Sequence, residues 1–103
     1  MMKFDHLSLP VSNLERSRDW YISALGLKVE FEVPERRTVA LQDGEGFAIF
    51  LQERSQVAHN GVALWFQVDD VDKTFADWEG RGELADPDGY VVRLWDQQTM
   101  KEK

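Results

Sequence analysis

The chain contains no cysteine, which removes disulfide frameworks, thiolate metal sites and cysteine nucleophiles from consideration. Long apolar runs are missing as well. No stretch approaches the roughly 20 residues of a membrane-spanning helix, and the first residues lack a signal-peptide core. The expectation is therefore a cytoplasmic chain with no membrane partner. Positive charge is scarce: 12 Lys+Arg stand against 19 Asp+Glu, for a formal net charge of −7. That balance disfavours nucleic acid, whose phosphates need clustered Lys and Arg. It suits a cationic ligand, and solubility alone explains it equally well. What is present is apolar material. Hydrophobic residues make up 43% of the 103 residues, with four Trp, six Phe and two Tyr. This is enough for one core in one domain, and it excludes a disordered chain.

The hydrophobic pattern predicts a strand over 3–9 with Phe4, His6 and Ser8 on one face, stopped by Pro10. Ser12-Asn13-Leu14-Glu15 reads as a capping box opening a helix. Leu14, Ser17, Tyr21 and Leu25 form its apolar stripe, and Gly26 ends it. Strict alternation over 27–33 predicts a strand with Leu27, Val29, Phe31 and Val33 inward. Further strands follow at about 37–42 and 47–53, the latter apolar enough to be covered on both faces. After a polar stretch the pattern restarts. A strand at 62–68 leads into a helix from about Asp70, with Val71, Phe75 and Trp78 at helical spacing and Gly80 and Gly82 at its end. Asp86-Pro87-Asp88-Gly89 reads as a tight turn before a closing strand at 90–96. Two β-α-β units suggest a duplication, with module one at about 1–54, a linker at 55–61 and module two at 62–96. Only one strand stub fits between Trp78 and Asp86, so module two is short.

FDHLSLPVSNLERSRDWYISALGLKV, VALWFQVDDVDKTFADW and DPDGYVVRLWD, in that order, resemble the vicinal oxygen chelate superfamily. This group includes glyoxalase I, bleomycin-resistance proteins and extradiol dioxygenases. The resemblance implies an α+β fold of paired βαβββ modules, here with the second abbreviated, and a homodimer. A missing edge strand also leaves backbone groups open to pairing with a second copy.

In metal-dependent members one ligand comes from each of four inner strands. The matching positions here are His6, Phe50, Ala63 and Arg93, so one donor of four survives. A slip of register offers Gln52 or Glu53 instead. An arginine has no lone pair to give and repels a cation, so no metal cofactor is expected. A divalent metal is the alternative. His6 reads as a ligand, a general base or simply a polar strand residue, and His59 as a solvated linker residue. Strand alternation puts Phe50, Trp65 and Trp95 on the side of His6, Gln52, Gln67 and Arg93. These residues either line a small-molecule pocket or fill a barrel without one. Arg93 needs a carboxylate such as Glu53 or an anionic ligand group. Asp69, Asp70 and Asp72 suit a helix N-terminus or a cationic drug. The favoured reading is a metal-independent binder of a planar or aromatic small molecule, similar to bleomycin-resistance proteins. The competing readings are a lyase, isomerase or dioxygenase using His6, and a degenerate member without a ligand.

Overall fold

Pro10 does not end the first strand but lies inside it. β1 spans Leu7–Val11 and pairs in parallel with β4, Ala48–Glu53, with Pro10 opposite Gln52. The sheet order β1-β4-β3-β2 places β1 at an edge, where a missing N–H costs no ladder bond. The computed structural model describes residues 2–58, 61–77 and 83–96, and the chain divides into two compact units, Met1–Ala58 and His59–Lys103.

In the first unit, α1 covers Leu14–Leu25. Its cap is Asn13, one residue later than the capping-box reading, and the Asn13 side chain accepts from the Arg16 amide. Ser12 Oγ accepts from the Arg16 guanidinium, and Glu15 turns away to Arg37. At the other end Gly26 adopts φ 72°, and the Gly26 and Leu27 amides return to the Ile22 and Tyr21 carbonyls. The bond from Gly26 to Ile22 is that of a left-handed αL stop.

The strands β2 (Lys28–Val33), β3 (Thr38–Gln42) and β4 follow, with β2–β3 and β3–β4 antiparallel. One sheet face buries Leu9, Val11, Val39, Leu41, Ile49 and Leu51, and α1, whose Leu14, Ser17 and Tyr21 are buried, packs on β3 and β4. Burial of these aliphatic and aromatic groups is the main stabilising term of the unit. β4 alternates between buried and half-buried positions and so is not covered on both faces as its composition suggested.

β2 departs most from its sequence reading. A bulge between Val29 and Phe31 breaks the alternation, so Val29 pairs with Leu41 and Phe31 with Ala40. Paired residues share a face, so these two apolar side chains point to opposite sides. Both are exposed, Val29 at 40% and Phe31 at 44%.

In the second unit, β5 (Ala63–Gln67) pairs in parallel with β7 (Val91–Trp95), which pairs antiparallel with β6 (Glu83–Ala85). α2 covers Val71–Asp77. Among the described residues β6 is the one short strand between α2 and β7, as the spacing allowed. The Asp86 carboxylate accepts from the Asp88 and Tyr90 amides, and Gly89, at φ 90°, donates back to the Asp86 carbonyl, closing the turn into β7. Leu64, Tyr90 and Val92 are the buried apolar residues described here. The Phe75 side chain, His59, Trp78, Gly80 and Gly82 lie outside the described residues. Among the described residues, no helix is long and apolar enough to cross a membrane.

Candidate ligand-binding site

On the first unit's open face, the strand registers align Ser8, Phe50, Ala40 and Phe31 in one row. The His6 ring lies flat on Phe50, with centroids 3.6 Å apart and planes 11° apart. Phe31 meets Phe50 edge-on at 5.4 Å, and Phe4 stacks on Phe47 at 6.2 Å. The edge contact of Phe31 and the offset Phe4–Phe47 pair suit the ring quadrupoles, whereas His6 lies almost face to face on Phe50 and covers one face of that ring. They border a cleft of about 580 Å³ lined by Phe4, Phe31, Phe47, Phe50, Lys3, Asp5, Glu30 and Gln42. The turn that brings Phe47 to this rim is held by the Asp43 carboxylate, which accepts from the Glu45 and Phe47 amides.

The sequence pointed to His6, Phe50 and Gln52 on this face, and the pairing registers place Gln52 on it, opposite Pro10 and Thr38. It counted Phe31 as inward-facing, put Phe4 on the face of His6 without giving it a site role, and missed Phe47. No signal within the strand could have found Phe31, because Glu30, the residue inserted at the bulge, fits the alternation. His6 also has a carboxylate that the sequence reading did not supply: its Nδ1 donates to Asp5 at 2.8 Å.

Glu53 lies on the other side of β4. Its carboxylate accepts from the Leu14 amide at 2.9 Å and from the Arg37 guanidinium, which also holds both Glu15 oxygens. Arg37 sits in the left-handed region at φ 46° and so reaches both carboxylates from a strained backbone position. Hydrogen bonds from Arg37 and then Leu14 hold the Glu53 carboxyl down at about 2, and Arg37 likewise lowers Glu15. The two carboxylates, Glu53 first, push the guanidinium further above its ordinary range. Glu53 is thus engaged in fastening α1 and β4, away from His6.

In the second unit, Trp65, Arg93 and Glu83 form one cross-strand row, and Gln67 pairs with Trp95 on the same face. Arg93 bonds Glu83 at 2.9 Å and lies 5.8 Å from the Trp65 ring centroid. The partner expected at Glu53 is therefore Glu83, because an antiparallel neighbour directly opposite is within reach. Trp65 is 57% exposed. Ala63, at the third of the four ligand positions, pairs with Val91 and brings no donor. Among the described residues no three His, Asp or Glu side chains are grouped to hold a metal ion. The positions that the resemblance gives to metal ligands hold His6 and Phe50 in the first unit, and Ala63 and an Arg93 paired with Glu83 in the second.

The order of elements, the parallel pairing of first and last strands in each unit and the strand order define an α+β chain of two related modules. The family model for the Glyoxalase/Bleomycin resistance protein/Dioxygenase superfamily matches residues 3–86, and the chain belongs to that superfamily. Solved structures share the fold. An integron cassette protein from the mobile metagenome of the Halifax Harbour sewage outfall is 20% identical, with a TM-score of 0.76 over 91% of this chain and 97% of that one. TnmS3, an antibiotic-binding protein from Streptomyces sp. CB03234, is 22% identical, with a TM-score of 0.75 over 93% and 96%. Lactoylglutathione lyase from Agrobacterium tumefaciens is 16% identical, with a TM-score of 0.73 over 94% and 95%. No curated protein matches the chain.

Proposed function

We propose that the chain is a metal-independent, small-molecule-binding member of the superfamily, taking a planar or aromatic ligand. One observation carries this reading. Where the superfamily's metal ligands would stand, His6 is stacked on Phe50 and Arg93 is paired with Glu83, with Ala63 between them in sequence. Rings and a neutralised cation hold flat organic molecules well and divalent ions badly. The antibiotic-binding neighbour supports small-molecule binding as a use of this scaffold. The lyase neighbour keeps the enzymatic reading in view, but the donors such chemistry needs do not converge on His6 among the described residues.

The proposal includes a homodimer and a cytoplasmic location. β2 is an edge strand with five of its six residues exposed, an open template for a second copy. The deciding experiment is elemental analysis of purified full-length protein, combined with sedimentation velocity. A dimer with no stoichiometric Zn, Ni, Fe or Mn is expected. One metal per chain would remove the metal-independent reading.

A further inference from the structure

We propose that the segment Lys3–His6 is a strap that closes over the cleft when a small molecule enters, and that His6 is the anchor on which it turns. This rests on the small-molecule reading above and adds a moving wall to it. The walls of the cleft are of two kinds. Phe31 belongs to β2, Gln42 to β3 and Phe50 to β4, all within one hydrogen-bonded sheet. Phe47 is fixed by Asp43, whose carboxylate accepts from the Phe47 amide and whose own amide donates to the Phe47 carbonyl. The remaining wall is Lys3, Phe4 and Asp5. Alternation predicts a strand there, yet β1 begins only at Leu7. The reason lies across the ladder. The parallel register that sets Leu7 opposite Ile49 would bring Asp5 opposite Phe47, and both backbone groups of Phe47 are already engaged by Asp43. Among the described residues, the backbone of Lys3, Phe4 and Asp5 accordingly makes no hydrogen bond.

Side chains alone fasten the strap. Phe4 lies parallel to Phe47 with centroids 6.2 Å apart and stays 67% exposed. The close contact is at His6, whose ring lies 3.6 Å from that of Phe50 and whose Nδ1 donates to Asp5 at 2.8 Å. His6 also stands directly before β1, where the ladder takes over. The strap is thus held at its foot and loose at its tip. A segment with exposed side chains and no backbone hydrogen bonds opens and closes independently of the sheet beside it. A molecule in the cleft supplies the contacts to Phe4 and Asp5 that the sheet withholds, and so favours the closed position. The imidazole at the position where the resemblance puts a metal ligand serves here to orient a piece of chain.

The test is amide relaxation of isotope-labelled protein, with and without N-phenyl-1-naphthylamine, a neutral fluorescent probe of apolar clefts. In the free protein the Phe4 and Asp5 amides should show lower heteronuclear NOE values than Leu9 in β1, and on binding they should rise to its level. His6→Ala should lower the free values further, leave Leu9 unchanged and weaken the probe about three- to tenfold, the range of one aromatic pair. His6→Phe keeps a flat ring on Phe50 and should restore both readouts. Phe4→Ala removes only the exposed tip and should weaken the probe about threefold without disturbing the fold. Phe4 and Asp5 amides as rigid as Leu9 in the free protein, or unmoved by His6→Ala, overturn the inference whatever the protein binds. An unchanged affinity in Phe4→Ala, or no binding of the probe, overturns closure. Probe bound while the strap amides keep their free values overturns closure too, yet leaves the small-molecule reading standing.

Discussion

The two units repeat their scaffolding and differ in their faces. In the first, Asn13 caps α1 through the Arg16 amide, and Glu53, at the end of the strand parallel to β1, accepts from the Leu14 amide. In the second, Asp70 caps α2 through the Lys73 amide, and Asp96, just past the strand parallel to β5, accepts from the Val71 amide. The same two orphan amides are satisfied from the same two places in the topology. The open faces share nothing comparable. One presents Phe rings, and the other a Trp over which an arginine is held by its neighbouring strand. The module repeats where helix ends must be satisfied and has diverged on its open faces.

The comparison breaks first in the cores. The first unit buries ten apolar residues, Leu9 through Leu51, and the second buries three among those described. Leu41→Ala, at a fully buried position, should cost about 2–5 kcal/mol. Val92→Ala, equally buried but smaller, should cost about 2 kcal/mol. Urea denaturation measures both. Hydrogen exchange should show β3 and β4 better protected than β5 and β7, and the reverse order would contradict the core assignment.

The next effect tests the repeated caps. Asp96 is buried at 7% exposure, so Asp96→Ala leaves the Val71 amide without this acceptor and should cost about 1–2 kcal/mol. A variant as stable as the parent would mean that the α2 cap does no structural work and that the parallel with α1 is one of geometry only.

The first unit's cap can be sharpened by pH. Glu53 is held at about 2 against an ordinary 4.5 by Arg37 and the Leu14 amide. A carboxyl depressed in the folded state binds fewer protons than in the unfolded chain, so its contribution is full above about pH 4.5 and is lost as pH falls toward 2. Glu53→Gln should therefore be less stable than the parent at pH 6, and the difference should shrink across that acid window. Denaturation midpoints from pH 2 to 6 measure it. A difference that does not change with pH would assign the effect to packing instead of charge.

How much of this was legible in the sequence follows from what kind of signal each feature leaves. The order of elements, the Gly26 stop, the short β6 and the Asp86-Pro87-Asp88-Gly89 turn are local. They follow from periodicity, from left-handed glycine and from turn chemistry within a few residues. Pro10 was misread because its cost depends on whether the strand lies at an edge, which only the sheet order reveals. Phe31 was misread because a bulge is a property of a pair of strands, and the alternation of Lys28–Val33 looks perfect in isolation. The partner of Arg93 was sought at Glu53 instead of Glu83 for the same reason. Which carboxylate faces an arginine is set by register, and Glu83 lies directly opposite Arg93. His6 and Phe50 were legible as neighbours because both came from one superfamily pattern, while Phe4 was legible only as sharing the face of His6 and Phe47 sits in a turn that no pattern marked.

The smallest effect tests the second face alone. Arg93 and Glu83 are about half exposed, at 47% and 54% of their side chains, so water screens their attraction. The guanidinium also covers part of Trp65, a contact that adds a little while the ring stays largely wet. Arg93→Ala should thus cost less than about 1 kcal/mol. It should also move the Trp fluorescence, because the cation beside the Trp65 indole is gone. Glu83→Gln separates the two contributions, since it frees the guanidinium without removing it from the ring. If the fluorescence change appears in Arg93→Ala and not in Glu83→Gln, stacking alone keeps Arg93 over the ring. If both variants show it, the ion pair across β6 and β7 is what orients the guanidinium over the Trp65 ring.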